Sequence, residues 1–275
     1  MSVPVDLEGR TILVCGVSRG GIGGATARRI AAAGAHVVVV DYIQQLVDET
    51  IADIEKAGGT CDGILADLMD PAQSDRVVKD VIRRHGKIDG VANVAGGDLD
   101  HWMPLEDTPL EVFRDILNIN LEYVFRICRD AAKAMITRQM PGSLVNVASI
   151  SALSSAPLHG PYGAAKSGIT ALTRTMAFEW GRYGIRANSV SPGACWTQRV
   201  ANHAGVPSLS GENELPDLVW TSADELACVI MFLLSDLASG VSGQTIVVDS
   251  GLSTKFCGGG QKLGNPKPLP KIFGA

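Results

Sequence analysis

The sequence predicts an α/β fold: a doubly wound, seven-stranded parallel sheet with helices on both faces, in a single domain. Three observations carry this prediction. Short apolar runs rich in Val and Ile alternate with helical patterns along nearly the whole chain. Those runs are continuously apolar, as strands covered on both faces are. The first of them leads into a glycine-rich turn that opens a helix, and the next strand ends in an acid. That order belongs to a dinucleotide-binding unit.

Thr11 to Cys15 is the first strand, followed by the turn Gly16-Val-Ser-Arg-Gly-Gly-Ile-Gly23. An alanine-rich helix over Gly24 to Ala33 is ended by Gly34, and His36 to Val40 is the second strand, with Asp41 at its end. Glycines let the backbone approach a pyrophosphate, and a helix N-terminus offers it free N–H groups. Asp41 can accept hydrogen bonds from an adenosine ribose and would repel a 2′-phosphate. Ile43 to Ala57 reads as a helix, Thr60 to Ala66 as a strand with Asp67 after it, and Pro71 to His85 as a helix. Gly90 to Asn93 is a short strand running into Val94-Ala95-Gly96-Gly97. One long helix is predicted from Pro109 to Arg138, with Asn118 and Asn120 inside it. Leu144 to Ala148, Arg186 to Val190 and Thr245 to Val248 are the remaining strands, and Tyr162 to Trp180 and Asp224 to Leu234 the remaining helices. Right-handed crossovers between parallel strands then give a doubly wound, Rossmann-type sheet.

The bulk numbers narrow the function classes. A chain of 275 residues, 46% hydrophobic and 19% charged, has the composition of a soluble globular protein. It contains no apolar run of membrane-spanning length, and Met1 to Gly9 lacks the basic and apolar regions of a secretion signal. Net charge is −5 with no basic stripe, which argues against nucleic acid as a main partner. The six cysteines, Cys15, Cys61, Cys128, Cys195, Cys228 and Cys257, show no CxxC spacing. A reduced, cytoplasmic protein without a zinc site or disulfide framework is the simpler reading. Asp98, Asp100 and His101 read as solvated loop residues, so no metal is expected.

The chemistry gathers between Gly142 and Arg182. Ser149 ends an apolar strand, and thirteen residues later Tyr162 and Lys166 open a helix. Four residues apart, they share a helix face. A tyrosine hydroxyl titrates near pH 10, and a neighbouring ammonium brings it toward the working range. Ser149 can hold an oxygen that gains or loses charge. The arrangement suits proton transfer to or from an alcohol or carbonyl oxygen beside a hydride carrier.

Taken together, these ordered motifs resemble the short-chain dehydrogenase/reductase family over about Leu7 to Leu252, in its single-domain form. The motifs are the glycine turn, Asp67, Asn93-Val-Ala-Gly96, Asn120, Ser149, Tyr162-x-x-x-Lys166, and Pro192-Gly193 with Thr197. The resemblance implies that Gly16, Ser18, Arg19, Gly21, Ile22 and Gly23 cradle the cofactor, that Asp67 and the adjoining Leu68 contact adenine, and that Asn93, Ala95 and Gly96 line it. Pro192, Gly193, Cys195 and Thr197 would bind the carboxamide end, and Lys166 the nicotinamide ribose. Asn120 would kink its helix and hold a water in a proton relay behind Lys166. In oxidation Tyr162 would take the alcohol proton while Ser149 holds the oxygen and hydride passes to nicotinamide. The resemblance further suggests a homotetramer or homodimer. The small face Ala164, Ala165, Gly168 and Ala171 permits close helix packing, inside the subunit or between subunits.

The sequence departs from the family pattern in places. Cys15 replaces the usual threonine, and one extra residue lies between Gly16 and Gly21, leaving the roles of Gly20 and Gly21 open. Glu122 or Tyr123 occupies a position that is often glycine. Arg19 could meet a 2′-phosphate, yet Asp41, fixed at a strand end, favours NAD over NADP.

Three segments should wall the substrate: Gly97 to Pro104 with Asp98 and Met103; Ser151 to Gly160 with Leu153, Leu158 and His159; and the lid-like loop Ala194 to Thr221 with Trp196 and Gln198. Their apolar residues suggest a small-molecule alcohol or ketone that is cyclic or steroid-like. Cys195 has no paired base in sequence and reads as a lining residue. The dehydrogenase domain is expected to span residues 1–253, with 254–275 as an extension that packs over the substrate opening or a neighbouring subunit. Two other readings stay open: an NAD-using epimerase or dehydratase, and a non-catalytic NAD-binding sensor.

Overall fold

Buried Val and Ile side chains suit a pleated surface covered from both sides, and the apolar runs fold accordingly. The computed structural model describes residues 5–18, 20–197 and 220–254. Its strands are β1 (Thr11–Cys15), β2 (His36–Asp41), β3 (Thr60–Leu65), β4 (Gly90–Asn93), β5 (Gly142–Val147), β6 (Ile185–Pro192), β7 (Cys195–Trp196), β8 (Thr221–Ser222) and β9 (Thr245–Val248). Seven of them form one parallel sheet in the order β3-β2-β1-β4-β5-β6-β9. β7 and β8 form a separate parallel ladder, too short to leave a pattern in the sequence.

The helices are α1 (Ile22–Ala32), α2 (Gln44–Lys56), α3 (Pro71–His85), α4 (Leu110–Leu117), α5 (Tyr123–Thr137), α6 (Gly160–Gly181) and α7 (Ala223–Leu234). One face of the sheet packs on α3, α5 and α6 through residues such as Val77, Ile127 and Ile169. The other packs on α1, α2 and α7 through Ile30, Ile54 and Ile230. The chain reverses its direction of travel across the sheet between β1 and β4. In doubly wound sheets a ligand crevice opens there, at the carboxyl ends of the strands.

The predicted 109–138 helix is interrupted. Between α4 and α5, Asn118–Glu122 form a π-helical turn in which the N–H of Tyr123 donates to Asn118 O. The cause is a side chain inserted into the ladder. Asn120 Nδ2 donates to Ile116 O at 2.9 Å and to Gly97 O at 2.7 Å, and Gly97 N donates back to Asn120 Oδ1 at 3.0 Å.

A buried polar chain crosses the centre. Asn93 Nδ2 on β4 donates to Asn146 Oδ1 on β5 at 2.9 Å, and Asn146 Nδ2 donates to Thr173 Oγ1 on α6 at 3.0 Å. Asn93 Nδ2 also lies 3.2 Å from Cys128 Sγ on α5. The chain thus ties two central strands to the two helices that carry the candidate site. Asn146→Val should leave Asn93 and Thr173 short of partners in the core. The expected loss in urea unfolding is about 2–4 kcal/mol.

Candidate active site

The glycine turn is set by close backbone approach. Gly16 has φ +85°, and a Cβ there would lie 2.6 Å from Ala95 Cα. A Cβ on Gly23 would sit 1.8 Å from Gly16 O, and one on Gly21 would sit 2.1 Å from Ser18 Oγ. Gly21 is the N-cap of α1, and its N–H donates to Ser18 O at 3.1 Å. The extra residue is therefore absorbed in a Ser18–Gly21 turn, and Gly21 takes the tight position. No side chain caps α1, so its first N–H groups face outward from Ile22 onward as an anion site. Arg19 lies outside the described residues.

Asp41 ends β2 over this turn. Its Oδ2 accepts from Val17 N at 2.9 Å and its Oδ1 from Ile43 N at 3.1 Å. Burial raises its pKa, and these backbone donors oppose the rise. Asp67 Oδ1 accepts from Met69 N at 2.8 Å, with Leu68 buried beside it. The segment after β4 is held from two sides. Val94 N and Ala95 N both donate to Cys15 O, at 2.9 and 2.8 Å, and Tyr123 Oη donates to Ala95 O at 2.7 Å. Burial keeps the Tyr123 phenol protonated, its pKa far above the ordinary value. The residue that marked a departure from the family pattern thus fixes the loop beside the cofactor crevice.

Lys166 is buried among these elements, 2% exposed. Its Nζ donates to Val147 O at 2.9 Å and lies 5.4 Å from the Tyr162 ring centroid. Burial lowers its pKa from 10.5 to about 7. Gly96 is the spacer: a Cβ there would lie 2.5 Å from Asn120 Oδ1 and 3.1 Å from Lys166 Nζ. Its absence leaves room for a small polar molecule between amide and amine. Ser149 is buried at the end of the β5 segment, and its Oγ accepts from Ser151 N at 3.1 Å. The hydroxyl proton stays available to donate. Ser167 Oγ donates to Ala152 O at 3.2 Å, tying the serine segment to the helix that carries Tyr162 and Lys166.

The substrate-side segments meet at His159. Its ring lies 4.4 Å from Trp102 and 5.8 Å from Tyr162, centroid to centroid. Its Nδ1 is 2.8 Å from Pro157 O and its Nε2 3.5 Å from Ser151 Oγ. Leu153, Leu158 and Trp102 are exposed around it. Met103 N donates to Leu158 O at 2.7 Å, which joins the segment carrying Asp98 to the one carrying Ser151. On the far side, Pro192 ends β6, and a Cβ on Gly193 would lie 2.5 Å from Asp249 Cβ. Cys195 and Trp196 make β7, with Thr197 next in the chain; Trp196 meets Trp220 edge to face at 4.9 Å. Burial pushes the Cys195 thiol up to about 12, which fits a lining residue. Gln198 and residues 199–219 of the expected lid lie outside the described residues. Sequence reasoning passed over Trp102, Trp220 and Asn146, whose spacing carries no signal. No described helix is long and apolar enough to cross a membrane.

Comparisons with known proteins agree with this geometry. The family described as enoyl-(acyl carrier protein) reductase matches residues 16–253. The chain is 32% identical to 3beta-hydroxysteroid dehydrogenase 1 of Eggerthella lenta, over 90% of this chain and 95% of that one. A 7alpha-hydroxysteroid dehydrogenase solved with NADH and 7-oxo glycochenodeoxycholic acid is 27% identical, covers 91% of this chain and 98% of its own, and superimposes with a TM-score of 0.81. A Beutenbergia cavernae protein solved with NADP at low occupancy is 29% identical, with a TM-score of 0.82 over 92% of this chain and all of that one. With the Rossmann-type sheet, the glycine turn and the Ser149, Tyr162 and Lys166 constellation in place, the chain belongs to the short-chain dehydrogenase/reductase family of oxidoreductases.

Proposed function

We propose that this protein is an NAD(H)-dependent oxidoreductase that interconverts a secondary alcohol and a ketone, with a cyclic or steroid-like substrate. The buried amine of Lys166, 5.4 Å from the Tyr162 ring and with its pKa lowered to about 7, carries the reading. A binding module has no need to bury a lysine against a tyrosine at the end of a crevice.

The residues fit a dinucleotide. The cradle between Gly16, Gly21 and Gly23 is one that a Cβ would fill, and the uncapped start of α1 faces it. Gly16, Ser18, Gly21, Ile22 and Gly23 would hold the pyrophosphate, Asp41 the adenosine ribose, and Asp67 with Leu68 the adenine. Asn93, Ala95 and Gly96 would line the middle, Lys166 the second ribose, and Pro192, Gly193, Cys195 and Thr197 the nicotinamide end. When bound, the nicotinamide supplies or accepts the hydride. The carboxylate of Asp41 repels a 2′-phosphate, which supports NAD over NADP.

In the oxidation direction Tyr162 takes the alcohol proton at its phenolate oxygen. The ammonium of Lys166 favours that phenolate, and the phenolate offsets the cost of a buried ammonium. Ser149 donates to the substrate oxygen and holds it. The proton then leaves from Lys166 Nζ through the space at Gly96 to Asn120, whose amide is locked on Gly97. Asp98, Ser151, Leu153, His159 and Trp196 would line the substrate site, and the exposed apolar groups around His159 suit a flat ring system. The hydroxysteroid dehydrogenase relatives support the same substrate class.

The catalytic unit spans residues 1–253, with 254–275 as an extension over the substrate opening or a neighbouring subunit. α6 presents Ala164, Ala171 and a 91%-exposed Phe178 to the outside, a stripe that suits packing between copies in a homotetramer.

Reduction of NAD and NADP should be assayed over aliphatic, cyclic, aromatic and steroidal secondary alcohols. Turnover with NAD on a cyclic substrate is expected, and no alcohol-dependent reduction of either nucleotide would overturn the proposal. Tyr162→Phe should lower kcat at least 10³-fold with little change in NAD affinity; retained turnover refutes the acid–base role. Lys166→Met should also abolish turnover, yet raise Tm by roughly 3 °C or more at pH 7, since a poorly solvated amine leaves the core. The folded pKa of Lys166 lies below its unfolded 10.5. The unfolded chain therefore binds more protons between about pH 7 and 10.5, and wild-type stability from this group rises across that window. The Tm gap between the two proteins should close toward pH 10. Deleting residues 254–275 should change either activity or the tetramer seen by light scattering, and a truncated chain unchanged in both removes the role given to the extension.

A further inference from the structure

At the end of the sheet away from the cofactor crevice, three residues distant in sequence converge. His36 opens β2, Asp62 lies on edge strand β3, and His85 is the last residue of α3, which returns antiparallel to the strands. His36 Nε2 lies 3.0 Å from Asp62 Oδ2, and His85 Nε2 lies 3.0 Å from the same oxygen. The imidazole rings are 4.5 Å apart, inclined at 40°. One ligand atom from each residue falls within 4.8 Å of the others. His85 Nε2 is buried and makes no hydrogen bond, so its 3.0 Å approach to the carboxylate is not an aligned N–H···O contact. Two ring nitrogens and a carboxylate oxygen thus share one small volume, and one nitrogen has no directed partner there.

We propose that His36, Asp62 and His85 form a binding site for a transition-metal dication of the zinc type. Two imidazole nitrogens and one carboxylate oxygen are a donor set that zinc takes in tetrahedral sites, at about 2.0–2.2 Å from each ligand. Ligand atoms around such an ion are about 3.3 Å apart, by the same distances and tetrahedral geometry. The two 3.0 Å separations here are already close to that, and the wider one closes by side-chain rotation alone. The side chains keep exposures of 30%, 42% and 17% for His36, Asp62 and His85, which leaves an entry path and a water as fourth ligand. A hard cation such as Mg²⁺ or Ca²⁺ would want more oxygens than one carboxylate offers.

The site would clip the edge of the sheet. It joins β2, β3 and the C-terminus of α3, three elements that only tertiary packing brings together. Asp41 ends the same strand that His36 begins, about 16 Å further along at the usual rise per residue. The metal therefore acts on the stability of the nucleotide-binding half rather than on proton or hydride transfer, and the proposal is independent of the substrate reading above.

The test uses Zn²⁺ alone and the full-length, tag-free protein without nucleotide. Calorimetric titration should show one equivalent bound with micromolar affinity, and Tm should rise by about 5 °C at a hundredfold excess over Kd. His36→Ala/His85→Ala should weaken binding at least 30-fold and abolish the Tm rise. Asp62→Asn, which keeps the shape of the site, should weaken it at least 10-fold and serves if the double variant fails to fold. Absence of saturable zinc binding at micromolar concentrations overturns the proposal, and so does binding of equal affinity in Asp62→Asn.

Discussion

The site depends on holding a lysine amine in the protein interior. Burial alone moves the pKa of Lys166 to about 7, so its proton is held loosely, and the surroundings decide whether it stays. The carbonyl of Val147 gives the amine one fixed partner, and that carbonyl is positioned by the register of β5 between β4 and β6. Tyr162, one helical turn before Lys166, follows from the same placement. The lattice of Asn93, Asn146 and Thr173 braces the strand and helix against each other, so the cost of burying the amine is met by a rigid frame.

A second consequence of that placement concerns empty space. Gly16, Gly23 and Gly96 are sites where a single methyl group would collide with backbone or with the amide of Asn120. The first two bring the start of α1 against the end of β1, and the third keeps a gap between Asn120 and Lys166. Interiors are close-packed, so gaps of this size persist only where the chain is built around them. Nucleotide cradle and proton exit are therefore shaped by the same kind of absence, at two points on either side of β4.

Much of this was legible in the sequence because punctuation residues report backbone geometry directly. α3 begins at Pro71 and ends at Gly86 with φ +74°, as its helix-start and helix-stop residues predict. β4 and β9 likewise fall where the apolar runs lie. The catalytic spacing was legible because Tyr162 and Lys166 share a helix face. The π turn at Asn118–Glu122 was not, since its residues are compatible with a regular helix and the cause is a tertiary bond to Gly97. Tyr123 was noted only as a misfit, because its partner, Ala95 O, lies 28 residues away. His36, Asp62 and His85 were invisible for the same reason: strand register and the return of α3 assemble them, and neither is written locally. The short β7–β8 ladder was missed because two-residue strands have no periodicity.

The π turn also fixes how the helix that follows it can change. A turn of this kind holds one more residue than the regular helix it interrupts, and each residue of an α-helix rotates the chain by about 100°. Removing a single residue there would restore a regular ladder and swing all of α5 by that angle. Tyr123, Ile127 and Cys128 would leave the core together, and Arg126 and Arg129 would face it. The segment from Pro109 to Thr137 is consequently closed to insertion and deletion while remaining open to substitution. Its length behaves as a phase setting shared by the proton exit on one side and the helix core on the other.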